Sequence, residues 1–340
     1  MIWLLLAAGL ASLLLTAALR RYALSRSLLD VPNARSSHTL PTPRGGGLAF
    51  VLVYLASVVA MAAAGVVAMA PLLALLGSGG LVALIGFMDD HGHIAARWRL
   101  LGHFAAAGWG LYWLGGLPPL VIFGLPLNMA WLGMIIGLLY LVWLLNLYNF
   151  MDGIDGIASI EAICVCLGGA LLYWLSGYAE AIWLPMLLAV TVAGFLFWNF
   201  PPARIFMGDA GSGFLGVVLG LLALQAAWIN PLLFWGWLIL LGVFVVDATF
   251  TLIRRLVRGE RVYEAHRSHA YQFASRLHGS HLPVSLSVAA INLFWLLPVA
   301  VAVVALDLDG ATGTLLAYVP LTVLAVKYRA GEREQDAPMY

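Results

Sequence analysis

The stretch MAWLGMIIGLLYLVWLLNLYNFMDGIDGIAS, residues 129–159, decides how this chain is read. Its first seventeen residues carry no charge, and they run straight into Asn146, Asn149, Asp152 and Asp155, with Gly153 and Gly156 between and after the carboxylates. An apolar run of roughly 20 residues is what a helix needs to cross a bilayer. Carboxylates at a membrane boundary are costly and point to function. Stepping by three, the four polar residues share one drifting helical face if the helix continues. Gly153 and Gly156 would loosen that helix or let another segment pack closely on it. Asn and Asp oxygens are the hard ligands that Mg²⁺ takes. A capped helix end is the plainer alternative.

Working outward, the same pattern recurs. The chain has 340 residues, 63% hydrophobic and 10% charged, where a soluble domain carries about 25% charge. The expectation is an all-α polytopic membrane protein, one integral-membrane domain over 1–340. Eleven spans are expected near 2–19, 46–68, 70–88, 100–116, 130–148, 157–175, 181–198, 212–228, 232–253, 283–305 and 311–326. With the N-terminus periplasmic and the C-terminus cytoplasmic, all 17 Lys and Arg residues fall on the cytoplasmic side, as the positive-inside rule requires. The expected location is therefore a bacterial cytoplasmic (inner) membrane, with the active face inward. The first span is read as an uncleaved helix, because its cations follow the apolar run. Outward loops are short, except 115–130, where Pro and Gly alternate with apolar residues and suggest a small periplasmic hairpin. A net charge of +1 gives no footing for nucleic acid. Cys164 and Cys166 read as small buried hydrophobes.

Polar chemistry gathers in the inward loops, 20–45, 89–99, 149–156, 199–211 and 254–282. The first holds His38 and Arg44, donors suited to phosphate, before Gly45, Gly46 and Gly47. The second opens on Asp89 and Asp90, a pair that shares a cation or raises one partner's pKa, with His91, His93, Arg97 and Arg99 behind. The fourth carries Asp209 in the turn GDAGSG, which can aim backbone N–H groups at an anion. The fifth has six Arg and four His, a strongly basic loop at mildly acid pH; its His266, Arg267 and His269 suit a phosphate better than zinc. Asp247 and Glu161 lie inside spans and either face the cleft or pair within the bundle. Singly these clusters read as caps or ordinary positive-inside loops. Together they suit a cation-bridged polyanion.

The strings PTPRGGG, DD, NLYNFMDGIDGIAS, IFMGDAGSGFLG and HRSHAYQ, in that order over about 30–275, resemble those of the polyprenyl-phosphate N-acetylhexosamine-1-phosphate transferases. The resemblance implies transfer of a sugar-1-phosphate from a UDP-N-acetylamino sugar to undecaprenyl phosphate, releasing UMP, with Mg²⁺ required and Mn²⁺ able to substitute. It implies Asp209 as a metal ligand, with Asp152 close to the metal. Asp89 would deprotonate or position the lipid phosphate, with Asp90 beside it. Asn146, Asn149 and Asp155 would organise the metal and nucleotide pocket, and His266 and His269 would contact the diphosphate. Arg44 and His38 sit where the first loop meets the site. Homologous bacterial enzymes imply a homodimer. DDHGH departs from the DDxxD or DDxxK of many members, which hands the nearby cation role to Arg97 or Arg99. HRSHAYQ lacks the consecutive histidines of the peptidoglycan translocase and looks more like the O-antigen and common-antigen initiating branch. A peptidoglycan-precursor transferase remains the nearer alternative. A phosphatase of lipid pyrophosphates is a second enzymatic one. A transporter is the alternative from another class, and it would place its polar groups at mid-membrane on broken helices.

Overall fold

A computed structural model describes residues 1–32, 40–92, 94–260 and 266–333. His38, His93 and Arg261 lie outside the described residues. Thirteen helices follow one another among those described: α1 (Ile2–Ser25), α2 (Leu48–Ala63), α3 (Met69–His91), α4 (Ala96–Leu114), α5 (Ala130–Met151), α6 (Ile157–Leu175), α7 (Trp183–Asn199), α8 (Asp209–Ile229), α9 (Pro231–Leu240), α10 (Gly242–Val257), α11 (Ala270–His278), α12 (Leu282–Ala305) and α13 (Gly310–Lys327). Each expected span coincides with a helix or helix pair. Among the described residues eight helices are long and apolar enough to cross a membrane, α7 counted with the 3-10 turn Ala179–Ile182 that leads into it, or nine when the bent pair α9 and α10 counts as one span. Two of the eleven expected spans fall outside that set. The region 46–68 yields only the 16-residue α2. The region 100–116 yields α4, which opens on Arg97 and Arg99.

The expected span 232–253 is not one straight helix. It breaks at Leu241, and its two halves diverge by 69°. The second half carries Asp247, Thr249, Thr251, Arg254 and Arg255 on a helix of otherwise apolar residues, so it is more polar than the first half, which is apolar throughout. The hairpin expected within 115–130 is present: β3 (Leu120–Ile122) pairs antiparallel with β4 (Leu125–Leu127). Its two-residue turn has positive φ at both Phe123 and Gly124, the twist that tight hairpins prefer. Trp235 of α9 donates to the Val121 carbonyl at 3.0 Å and seats it. A second, unforeseen pairing joins β1 (Leu29–Asp30) to β2 (Thr42–Pro43).

Burial shows which helix organises the bundle. Along α8 83% of the spanning window is buried, against 22% for α1 at the periphery. A helix apolar on every face belongs inside, and α8 packs against α5, α3 and α9. Its glycines let those helices approach closely, as small residues do between membrane helices. Glu161 of α6 is fully buried, and its Oε2 accepts from Asn292 Nδ2 at 2.6 Å, so it pairs within the bundle and away from any cleft. Both cysteines are free.

The tightest approach lies where α3 meets the start of α8. A methyl group on Gly86 would come within 2.4 Å of the Ala210 nitrogen and 2.5 Å of the Asp209 carbonyl. Backbone cannot yield cheaply there, so Gly86→Ala is expected to cost about 1–3 kcal/mol, the range for an overpacked interior. The same change at Gly80 on the same helix meets no atom within 4 Å. Thermal unfolding in detergent should show a lowered midpoint for Gly86→Ala and none for Gly80→Ala.

Candidate active site

The polar stretch 146–156 is a helix end followed by a turn. α5 stops at Met151, Asp152 is its C-terminal cap, and α6 restarts at Ile157 after Gly156 at φ +74°. The single helical face expected of the four polar residues therefore holds only for its first half. Asn146 and Asn149 stand on α5, while Asp152 and Asp155 ride on the turn. Asn146 donates to the Val142 carbonyl at 2.7 Å, and Asn149 reaches Ser212 Oγ at 3.1 Å. Close packing is the reason for Gly153, since a methyl there would lie 2.1 Å from Tyr271 Oη. Asp155 ties three segments together. Its Oδ2 accepts from the Ala203 N–H at 3.0 Å, its Oδ1 lies 3.2 Å from His281 Nδ1, and its carbonyl accepts from Ser285 Oγ at 2.8 Å.

The second half of the site forms where α8 begins. Gly46 and Gly47 donate backbone N–H groups to the carbonyls of Phe206 and Met207 at 2.9 and 2.8 Å, and Phe206 N–H returns to Pro43. The string PTPRGGG is thus zipped to IFMGDAG, and Arg44 is delivered to the start of α8. Its Nε lies 2.9 Å from Asp90 Oδ1 and its Nη2 2.6 Å from Asp209 Oδ1. Asp90 in turn accepts from the N–H groups of Asp209 and Ala210 at 3.1 and 3.4 Å. A carboxylate on the first amides of a helix satisfies orphan donors and complements the helix dipole. Asp89 pairs with Arg99 and accepts from the Ile94 N–H at 2.8 Å. Arg99 also stands 3.6 Å from Asp209 Oδ2.

These groups surround an open cleft of about 830 Å³ whose lining includes Arg44, Asn149, Asp152, Asp155 and Asp209. A smaller pocket behind it, about 340 Å³, is lined by Asp89, Arg99, Asn146 and His103, and it shares Asn149 and Asp209 with the cleft. Arg97 is exposed and packs over the Trp98 ring at 5.6 Å. Of the two arginines expected to replace the missing acidic or basic group, Arg99 is the one at the carboxylates. His266 and His269 line neither cavity. His269 is buried, its ring 4.9 Å from that of His266 and its Nδ1 3.3 Å from Asp247 Oδ1. Arg267 sits beside them, its carbonyl accepting from Arg276 at 3.3 Å. His281, Gln272, Ser212 and Asn199 also line the cleft and were not expected there. Asn199 accepts from the Gly156 N–H at 3.1 Å and donates to the Ile205 carbonyl at 3.0 Å, joining the third and fourth inward loops.

Two electrostatic features follow. Burial, and then the Asp209 charge, push the Asp152 carboxyl well above the usual carboxylate range. Burial, helped by His269 and Arg255, lowers His266 to about 3. His266 therefore adds no charge at mildly acid pH to the loop expected to be strongly basic there. Among the described residues no three His, Cys, Asp or Glu side chains form a ready metal cage. Mg²⁺ does not need one, because it takes one or two carboxylates and completes its shell with substrate phosphate and water. Asp209 and Asp152, facing one cleft, are a donor set of that kind.

Part of the chain is similar to known proteins. Residues 72–227 match the family described as glycosyl transferase family 4. Among similar curated proteins is a probable undecaprenyl-phosphate N-acetylglucosaminyl 1-phosphate transferase of Bacillus subtilis, 27% identical over 83% of this chain and 78% of that protein. A decaprenyl-phosphate N-acetylglucosaminephosphotransferase of Mycobacterium tuberculosis is 29% identical over the same shares. A phospho-N-acetylmuramoyl-pentapeptide-transferase of Moorella thermoacetica is 29% identical over 54% of this chain and 61% of that protein. The matched region contains Asp89, Asp90, Asn149, Asp152, Asp155 and Asp209, and residues 72–227 are a glycosyl transferase family 4 domain.

Proposed function

We propose that this protein transfers an N-acetylamino-sugar-1-phosphate from a UDP-sugar to a polyprenyl phosphate, undecaprenyl phosphate in a bacterial inner membrane, and releases UMP. The observation that carries this reading is the convergence of Asp209, Asp152 and Arg44 on one cleft. The activities for which the similar proteins are named support it. The clustering of cations in the inward loops supports a cytoplasmic active face. HRSHAYQ, in place of consecutive histidines, favours initiation of a cell-surface polysaccharide such as O-antigen over a peptide-bearing donor.

In this reaction an oxygen of the lipid phosphate bonds to the phosphorus bearing the sugar, and the bond from that phosphorus to the bridging oxygen of UMP breaks. Such transfers need positioning and charge neutralisation more than covalent help. Bound Mg²⁺ supplies neutralisation of the diphosphate and of the departing UMP. Asp209 and Asp152 would hold it. Arg44, fixed by Asp90, presents a guanidinium beside the same place, and Arg99 presents another from the smaller pocket. Asp155 with His281 and Asn199 keeps the turn carrying Asp152 in register. Asp89 orients Arg99 and lies where it can meet the acceptor phosphate. That phosphate is already anionic near neutral pH, so geometry matters more than a strong base.

Purified protein incubated with labelled UDP-GlcNAc, Mg²⁺ and undecaprenyl phosphate should yield UMP and a lipid-soluble sugar product. Free sugar phosphate would instead mark a phosphatase, and absence of turnover across UDP-GlcNAc, UDP-GalNAc, UDP-FucNAc and UDP-QuiNAc would overturn the reading. Asp209→Asn should lower turnover by about 10²-fold or more, the scale of losing one electrostatic contact to a transition state. Asp89→Asn should also slow turnover, and a near-normal rate would exclude Asp89 as a base. His266 gives a pH test. The unfolded chain binds its proton near 6.5, the folded one only near 3, so the unfolded state holds more protons between those values. Stability should fall as pH drops through that window, and His266→Asn should flatten the slope of melting temperature against pH.

A further inference from the structure

The histidine-bearing loop hangs on a carboxylate that the mechanism above leaves unused. Asp247 stands on α10 beyond the 69° bend and is 6% exposed. Its Oδ1 accepts from the Ala270 N–H at 3.0 Å and from Thr251 Oγ1 at 3.2 Å, and lies 3.3 Å from His269 Nδ1. Its Oδ2 accepts from the Tyr271 N–H at 3.1 Å. A charged acceptor thus satisfies two of the orphan amides that open α11. The cations about two turns along α10 are engaged elsewhere, Arg254 with Glu332 and Arg255 with Glu260. Apart from Thr251 on its own helix, the partners of Asp247 all belong to the entry into α11.

From there α11 reaches the catalytic turn. Tyr271 Oη donates to the Phe150 carbonyl at 2.9 Å, and it is the atom that a methyl on Gly153 would strike. Gln272, whose Oε1 accepts from the His269 N–H at 3.2 Å, lines the cleft with Asp152. A continuous set of contacts therefore runs from a membrane helix, through the first turn of α11, to the turn bearing Asp152. A charge within a spanning segment is costly, and here it is balanced by two backbone amides, a hydroxyl and an imidazole, all but the hydroxyl from the entry into α11.

We infer that Asp247 is a positioning residue of the donor pocket. It sets the height and rotation of the first turn of α11, and through Tyr271 and Gln272 it sets the fit of the UDP-sugar against the Asp152 turn. This rests on the transferase reading above for its substrate. The loop has a second tether, because the Gly331 N–H donates to the Ser268 carbonyl at 2.6 Å and Arg254 donates to the Ala330 carbonyl at 3.0 Å. Removing Asp247 consequently frees the first turn of α11 without releasing the whole loop.

The test uses the full chain in detergent, as wild type, Asp247→Asn, Asp247→Ala and Tyr271→Phe. Asp247→Asn keeps an acceptor oxygen and serves if the alanine variant fails to fold. Hydrogen exchange should speed up at residues 270–275 in both Asp247 variants, and also at the distant turn 150–155. The KM for UDP-sugar should rise about tenfold in Asp247→Ala, the scale of losing a partner that orients a binding group, and less in Asp247→Asn. The kcat and the KM for undecaprenyl phosphate should change little. Tyr271→Phe combined with Asp247→Ala should fall short of additivity, as groups in one chain of contacts do. An unchanged donor KM in a folded variant overturns the proposal. So does a loss of kcat with both KM values unchanged, which is what a smaller folded fraction would give. Should the wild type turn over no UDP-sugar, the transferase reading fails by itself, and the exchange pattern at 150–155 still decides whether Asp247 orders that turn. Unchanged exchange there overturns the proposal independently of activity.

Discussion

The Asp90 carboxylate lies across the first two amides of α8 and against the guanidinium of Arg44. Three elements far apart in the chain meet at this one side chain: the end of α3, the entry to α2 and the start of α8. The helix terminus supplies unsatisfied N–H donors and a positive end, and a carboxylate from a neighbouring helix answers both. Because Asp209 is the first residue of α8, the same contact fixes the backbone from which its side chain springs. The close approach at Gly86 brings α3 near enough for Asp90 to reach. Packing in the hydrocarbon region and chemistry at its edge are therefore one arrangement.

A similar solution appears at α11, where Asp247 caps a short helix lying outside the bundle. In both places a membrane helix lends a carboxylate to the start of another helix. The broken α9–α10 pair makes the second case possible, since its 69° bend turns the more polar half-helix toward the loops. A polar face assembled from loops alone would be held by few buried contacts. Anchored on helix ends, it inherits the rigidity of the bundle.

Much of this was legible in the sequence, for specific reasons. Carboxylates and arginines are rare in so apolar a chain, so Asp89, Asp90, Arg44, Asp152 and Asp209 stood out, and the charge asymmetry put them on one face. Helix positions were legible because apolar runs of spanning length are hard to mistake. The break at Leu241 was not, since both halves are apolar enough to read as one run and no proline separates them. The turn at 152–156 carried its signal in two Asp-Gly pairs, yet the three-residue spacing of its polar groups imitates a helix. His281 and Gln272 could not be foreseen. Nothing local links His281 to Asp155, which lies 126 residues earlier, and only the packing of α11 and α12 brings them to the cleft. The two-residue strands β1 and β2 are too short to leave any periodic trace.

The doubled arginine contacts on Asp209 have a consequence for what can enter. Among the described residues, Asp89, Asp90 and Asp209 pair with two guanidiniums, Arg44 and Arg99, and Asp155 with the His281 imidazole. Even with Asp152 holding a proton, acidic groups outnumber basic ones around the cleft. A bare diphosphate, several charges negative, meets like charge on arrival. An anion that brings its own counter-charge does not. Under the transfer reaction proposed above, the same wall would favour a metal-paired nucleotide over a metal-free one, without any gate that moves.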